Sequence, residues 1–156
     1  MACEIERRFL LSGEDWRAAG TGLCLRQGFV SLDAHHSVRV RIAGEQAWLT
    51  IKGEGMAISR PEFEYAIPLA DAEAMLAGLC RYRVDKLRTR VRYAGKDWVI
   101  DEFFGDNAGL VLAEIELASE QEAFVRPPWL GAEVTSDARF SYAYLSQTPY
   151  SRWTTA

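Results

Sequence analysis

Cysteine is scarce in this chain of 156 residues: Cys3, Cys24 and Cys80 are odd in number, far apart and without a Cys-x-x-Cys spacing. That argues against a disulfide framework and a thiolate zinc site, and predicts small buried hydrophobes in a reducing compartment. Histidine is scarcer still, with only His35 and His36. Neighbours in sequence diverge in direction, so the pair reads as a solvated connection rather than a metal site. No apolar run approaches the roughly 18 residues of a membrane span, and the start lacks the apolar core of a secretory signal, which predicts a soluble, cytoplasmic protein. A Walker-type glycine loop and a Gly-x-Gly-x-x-Gly fingerprint are both missing, so phosphate recognition would have to come from side chains. Net positive charge is missing too: 18 Lys and Arg stand against 22 Asp and Glu, a formal charge of -4. General affinity for nucleic-acid polymers is thereby disfavoured, and an anion site has to be local.

What the chain has is alternation. Its length and 49% hydrophobic content suit one well-packed domain, which we expect over residues 1–149 with a tail at 150–156. In an extended strand over residues 1–10, Glu4, Glu6 and Arg8 share one face while Ile5, Arg7 and Phe9 share the other. After a β-rich run at 23–32, the pattern returns with opposite sign: Arg39 and Arg41 against Val38, Val40 and Ile42. Trp48, Thr50 and Lys52 then stand against Leu49 and Ile51, ahead of a turn at Gly53-Glu54-Gly55. In 58–68, Arg60, Glu62 and Glu64 alternate with Phe63 and Tyr65, and Pro61 marks an edge or a bulge. Residues 82–93 set Lys86, Arg88, Arg90 and Arg92 against Leu87, Thr89, Val91 and Tyr93, with Arg90 and Arg92 nearest the solvated end. Asp101 interrupts an apolar strand at 97–104, and Glu114 and Glu116 alternate with Ala113, Ile115 and Leu117 in 110–117.

Helical signals are fewer. Residues 12–19 form a turn or short helix capped by Ser12, and 71–79 a helix capped by Asp71 with a stripe of Met75, Leu76 and Leu79. Residues 119–124 and 137–147 read as helices separated by Pro127-Pro128 and Gly131.

At least five strands thus carry charge on one face and aliphatic residues on the other. If helices cover the aliphatic faces, the charges must point into a closed sheet. The fold class is therefore α+β: a sheet closed into a β barrel with a polar interior and helices packed outside. Interior charge of both signs is costly unless it pairs or binds ions, so the lumen is a site rather than a core. The inward set sums to net positive in a chain that is net negative, which suits a polyanion bound with a metal. Paired carboxylates hold a hard divalent cation, and arginines grip phosphate oxygens.

These residues carry a family resemblance. Glu4-Ile5-Glu6-Arg7-Arg8 resembles the Glu-x-Glu-x-Lys opening of the CYTH superfamily, the triphosphate tunnel metalloenzymes that include class IV adenylyl cyclases, thiamine triphosphatases and inorganic triphosphatases. The likeness continues in order through Leu25-Arg26-Gln27-Gly28, Val38-Arg39-Val40-Arg41, Thr50-Ile51-Lys52, Arg60-Pro61-Glu62-Phe63-Glu64, Glu114-Ile115-Glu116 and Asp137-Ala138-Arg139. The resemblance implies an eight-stranded antiparallel β tunnel, with Mg2+ or Mn2+ held by Glu4, Glu6, Glu114 and Glu116, a set to which we add Asp101. It implies a triphosphate gripped by Arg8, Arg39, Arg41, Lys52, Arg60, Lys86, Arg88 and Arg139, and an attacking water served by Glu62 and Glu64 with Arg8 at the reacting end. The partner is then a small-molecule triphosphate, with no nucleic-acid polymer and no membrane; a homodimer stays open.

Two departures bear on turnover. The family's usual lysine is Arg8, and the tyrosine that related inorganic triphosphatases place after the Gln-Gly pair is Phe29. Arginine keeps the charge without exchanging a proton, and phenylalanine has no hydroxyl. Binding should survive better than catalysis. The leading expectation is a metal-dependent triphosphatase of altered or weak activity on inorganic triphosphate. A class IV-type adenylyl cyclase and a non-catalytic polyphosphate or nucleotide binder are the alternatives. Bland readings remain for single elements: an exposed basic strand at 82–93, Asp101 as a structural acid, and Trp48 as a packing residue.

Overall fold

Alternating strands with charge on one face need a sheet that closes, and the computed structural model, which describes residues 3–54 and 59–153, contains one. The predicted turn residue Gly55, the strand start at Ile58, residues 1–2 and the tail at 154–156 lie outside the described residues. The strands are β1 (Cys3–Leu11), β2 (Gly22–Leu32), β3 (His36–Ala43), β4 (Gln46–Gly53), β5 (Ser59–Ile67), β6 (Tyr82–Arg83), β7 (Lys86–Tyr93), β8 (Lys96–Phe103), β9 (Val111–Glu116) and β10 (Leu130–Glu133). The helices are α1 (Leu69–Gly78) and α2 (Tyr142–Gln147). Neighbouring strands follow the order β1-β5-β4-β3-β2-β7-β8-β9, and β9 pairs back with β1 to close an eight-stranded antiparallel barrel. The short β6 and β10 add to β2 and β1 at the rim.

Register sets the charges opposite one another. Arg8 lies across from Glu114, Glu6 across from Glu116, Lys52 across from Glu62, and Arg88 across from Asp101. Directly opposed residues share a face, so each of these pairs points the same way. On the outer face, Phe9, Trp98, Ile100, Ala113 and Ile115 pack with Trp16 and Trp129. Val40, Ile42 and Ala47 meet Ala72 and Leu76 of α1. The close approach of the segment after α1 explains Gly28: a Cβ there would stand 2.8 Å from the Cys80 Cβ.

One end of the lumen is apolar. Leu112 is opposite Asp101 and shares its inward face, and Leu112, Phe103 and Phe29 pack against Phe140, Tyr142 and Leu145. Helix α2 thus seals that end. Residues 150–153, expected as part of an unstructured tail, form a 3-10 turn whose Trp153 stacks edge-on against Phe140 at 5.2 Å.

Several local expectations are revised. The strand over 82–93 is split, because Tyr82 and Arg83 pair with Phe29 and Gly28 whereas Lys86 begins a new pairing with Leu25. Residues 119–124 form a turn, not a helix: the Glu122 carboxylate accepts from the Ala118 N–H at 2.6 Å and pairs with Lys96, a side-chain bond that competes with helix formation. The helix over 137–147 begins as a 3-10 turn at Ala138–Phe140. Asp71 lies in the first turn of α1 rather than at its cap, which is Pro68, and Leu79 follows the helix and is 59% exposed. Ser12 caps nothing; its N–H bonds the Trp129 carbonyl at 2.7 Å. Cys3 and Cys24 are exposed and Cys80 half-buried, all free, since the outer strand positions of the first two are not covered by a helix.

Leu145, fully buried in the seal, is its anchor. Leu145→Ala is expected to cost about 2–5 kcal/mol, the range for a large-to-small change in a core that cannot collapse, measured by the shift of a urea unfolding curve.

Candidate active site in the tunnel

The lumen opens into a cavity of about 680 Å³ lined by Glu4, Glu6, Arg39, Arg41, Lys52, Glu62, Glu64, Arg88, Arg90, Glu114, Glu116 and Tyr142. A second opening, about 300 Å³, is lined by Glu6, Arg8, Lys52 and Arg60 together with His35, His36 and Asp137. Glu6 and Lys52 face both. The structure therefore brings together the charged faces of β1, β3, β4, β5, β7 and β9.

Four of the inward cations, Arg8, Lys52, Lys86 and Arg88, already have an acid. Arg8 donates from Nε and Nη2 to Glu114 Oε2 at 3.0 and 2.8 Å, and from Nη2 to Glu6 Oε1 at 2.9 Å. Lys52 Nζ sits 2.6 Å from Glu4 Oε2. Lys86 Nζ and the Arg88 guanidinium converge on Asp101, at 2.7 Å and 2.8 Å respectively. Arg39 is different. It is 5% exposed, its Nε has no hydrogen-bond partner, and among the described residues it has no ion pair. Arg41 has only the neutral Gln27 Oε1, 3.1 Å from its Nε. Burial, reinforced by the positive Arg88, lowers the Arg39 pKa; burial with Arg39 and Arg88 nearby pushes Arg41 down to about 9, still protonated at neutral pH. Two guanidinium groups are thus held where an anion belongs.

The acids divide by position. Asp101 is completely buried, and its oxygens are taken by Lys86, Arg88 and the Tyr142 hydroxyl, which donates to Oδ2 at 2.6 Å. It does not line the wide cavity. Burial opposes its ionisation, but the Lys86 and Arg88 charges outweigh that and hold the carboxyl well below the usual range. Glu116, Glu62 and Glu64 stand at the mouth with Glu4 and Glu6 behind them. Desolvation there, with Glu4, Glu6 and Glu64 nearby, raises the Glu116 pKa against the pull of Lys52. Among the described residues no three acidic, histidine or cysteine side chains converge as a ready metal site. Lys52 and Arg8 occupy oxygens of Glu4, Glu6 and Glu114 instead. The donor set itself is all carboxylate, which fits a hard divalent cation.

Arg139 is not brought to the lumen. Its guanidinium pairs with Asp137, two residues back, at 2.6 Å, and lies over the Phe140 and Trp153 rings. Arg90 and Arg92 are exposed as expected, Arg90 at the cavity rim and Arg92 paired with Asp97. His35 is exposed in the connection near Glu54, whereas His36, also exposed and near Asp33, already begins β3. Four side chains were given no site role by the sequence reading, although Thr50 and Gln27 stand in its patterns. Thr50 donates to Glu64 Oε2 at 2.8 Å, Thr135 Oγ1 accepts from the Arg8 N–H, Gln27 braces Arg41, and Tyr142 joins Asp101 to Glu114. Thr50 shares the face of Lys52 and was legible by alternation; Tyr142 follows the Ser141 N-cap in a short helix, where no periodicity marks it.

The Lys86–Asp101–Arg88 cluster supports a pH test. Because the native Asp101 pKa lies below its unfolded value, its contribution is complete above the unfolded pKa, near 4, and is lost as pH falls toward the native value. Asp101→Asn is expected to cost about 3–5 kcal/mol at pH 7, since it leaves Lys86 buried without a counter-charge, and to flatten the loss of stability below about pH 4. Denaturant titrations at pH 3 to 7 check both.

The comparisons agree with this geometry. A family model described as the CYTH domain matches residues 2–144. The chain is 43% identical over 151 residues to an inorganic triphosphatase of Acetivibrio thermocellus, covering 96% of this chain and 97% of that protein. It is 35% identical over 149 residues to an inorganic triphosphatase of Nitrosomonas europaea, covering 88% and 92%. A crystal structure of an inorganic triphosphatase superposes with a TM-score of 0.65 at 32% identity, covering 94% of this chain and 95% of that one. With the barrel, the charged lumen and these matches in agreement, the chain belongs to the CYTH domain family.

Proposed function

We propose that this protein hydrolyses inorganic triphosphate, bound in the tunnel with a divalent cation, Mg2+ or Mn2+. The observation that carries the reading is Arg39: a buried guanidinium without an ion pair among the described residues, beside Arg41, which has none among them either. A buried unpaired charge is unfavourable, so the site is built for an anion that the chain does not contain. The identity to two inorganic triphosphatases selects which anion.

In this reading Arg39, Arg41, Lys52, Arg60 and Arg88 surround the phosphate oxygens, and Arg8 sits at the reacting end. Lys86 supports them from below, locked to Asp101. Glu4, Glu6, Glu114 and Glu116 would hold the cation, whose chemistry is to neutralise charge on the phosphate oxygens. Asp101, enclosed by cations, serves as their counter-ion. Glu62 and Glu64, at the mouth, orient the attacking water; phosphoryl transfer asks mainly for positioning and charge stabilisation, which fixed guanidinium groups supply. Arg8 contributes only as a fixed charge. Although burial opposes it, Glu114 and Glu6 raise its pKa further, so it exchanges no proton. Phe29 is buried and lines the small cavity shared with Arg39, Thr50 and Tyr142. Turnover is therefore expected to be weaker than binding.

The deciding experiment is phosphate release from inorganic triphosphate, ATP and thiamine triphosphate, with Mg2+ and with Mn2+. Hydrolysis of inorganic triphosphate that disappears without metal and in Glu6→Gln supports the proposal. Cyclic AMP and pyrophosphate from ATP, or metal-dependent binding without turnover, would replace it with a cyclase or a binding module. Arg39→Met separates site from scaffold. Removing an unpaired buried charge is expected to raise Tm by a few degrees while raising the KM for inorganic triphosphate about tenfold or more; thermal melts and steady-state kinetics check the two effects.

A further inference from the structure

The Tyr142 side chain, on the first residue of α2, lines the lumen and reaches β8 and β9. Its hydroxyl donates to Asp101 Oδ2 on β8 at 2.6 Å and also contacts Glu114 Oε1 on β9. Asp101 carries Lys86 and Arg88; Glu114 carries Arg8 through its other oxygen. The face of the ring lies 3.5 Å from Lys86 Nζ and 5.1 Å from the Arg8 guanidinium carbon. The residue is 7% exposed, and its anchor is the apolar seal formed with Phe103, Phe140 and Leu145. One phenol thus touches two acids that hold Arg8, Lys86 and Arg88, and its ring underlies two of those bases.

We propose that Tyr142 is a positioning residue for the triphosphate site: it ties Asp101 to Glu114 and so holds Arg8, Lys86 and Arg88 in register toward the bound anion. The proposal rests on the reading of the tunnel as a triphosphate site. Without the hydroxyl, two carboxylates would face each other across the vacated space, repel, and let Arg8 and Arg88 follow them. The tunnel's net charge would not change. Attraction of the anion into the lumen would persist, while alignment of the guanidinium groups on the reacting phosphoryl group would be lost. Such a change appears in kcat and leaves KM nearly constant.

Tyr142→Phe tests this, because it removes the hydroxyl and keeps the ring under Lys86 and Arg8. The expected result is a kcat for inorganic triphosphate lowered about tenfold with KM within about twofold. Tyr142→Leu, which also removes the ring, is expected to raise KM as well. Tyr144→Ala is the control: it loosens the same helix from Trp153, 6.2 Å away between ring centres, without reaching the bridge. It should leave kcat near wild type. Equal kcat in wild type and Tyr142→Phe, or an equal fall in Tyr144→Ala, would overturn the positioning role while wild-type turnover upheld the triphosphatase reading. A wild-type protein that neither hydrolyses inorganic triphosphate nor binds it in a calorimeter would overturn both.

Discussion

The pairing of β1 with β9 is the constraint on which the site depends, because it converts an open sheet into a closed one. In an open sheet the charged face of each strand would look onto water and its residues would be solvated independently. Closure places those faces around one volume, where Arg8 meets Glu114 across the very seam that completes the ring. The seam is at once a hydrogen-bonded ladder and part of the active-site wall. Its outer side is secured by an aromatic group in which Trp98 makes edge contacts with Phe9, Phe124 and Trp129.

Inside the barrel, charge is distributed by depth rather than simply balanced. Next to the apolar seal, Lys86, Arg88 and Asp101 form a closed cluster with Tyr142, in which each acid oxygen has a donor. Toward the mouth, Glu116 stands among other acids, while Arg39 and Arg41 have no ion pair among the described residues. The deep cluster is the rigid reference. The outer groups retain unmatched charge of both signs on different walls, which is the condition for taking up a polyanion together with a cation.

The rim shows how local chemistry can withdraw a residue from such a site. Arg139 belongs to a segment that resembles the family pattern, yet its guanidinium is satisfied by Asp137 two positions earlier and by stacking on Trp153. A partner so near in the chain needs little ordering, so it competes well with a distant anion. Glu122 acts in the same way on the backbone, ending the expected helix at 119–124 with a bond to Ala118. Tyr142 is the converse case. Nothing in its neighbours along the chain announces a role, because its partners come from β8 and β9 and from the way α2 seals the barrel.

The inward faces of β1, β3, β4, β5, β7 and β9 were legible in the amino-acid sequence because strand geometry has a period of two, and a mixed charge pattern repeated on many strands has few ways to be buried. From that alone followed a closed barrel, its basic and acidic lining, and the exposed ends at Arg90 and Arg92; the eight antiparallel strands came from the family resemblance. Tertiary structure decided which charges pair and which are left unmatched: Arg8 with Glu114, Lys52 with Glu4, Lys86 and Arg88 with Asp101, and Arg39 with no ion pair among the described residues. Those outcomes depend on register between strands distant in sequence and on rotamers chosen within a crowded lumen. Alternation states which face a side chain occupies; only the closed barrel determines what it meets there.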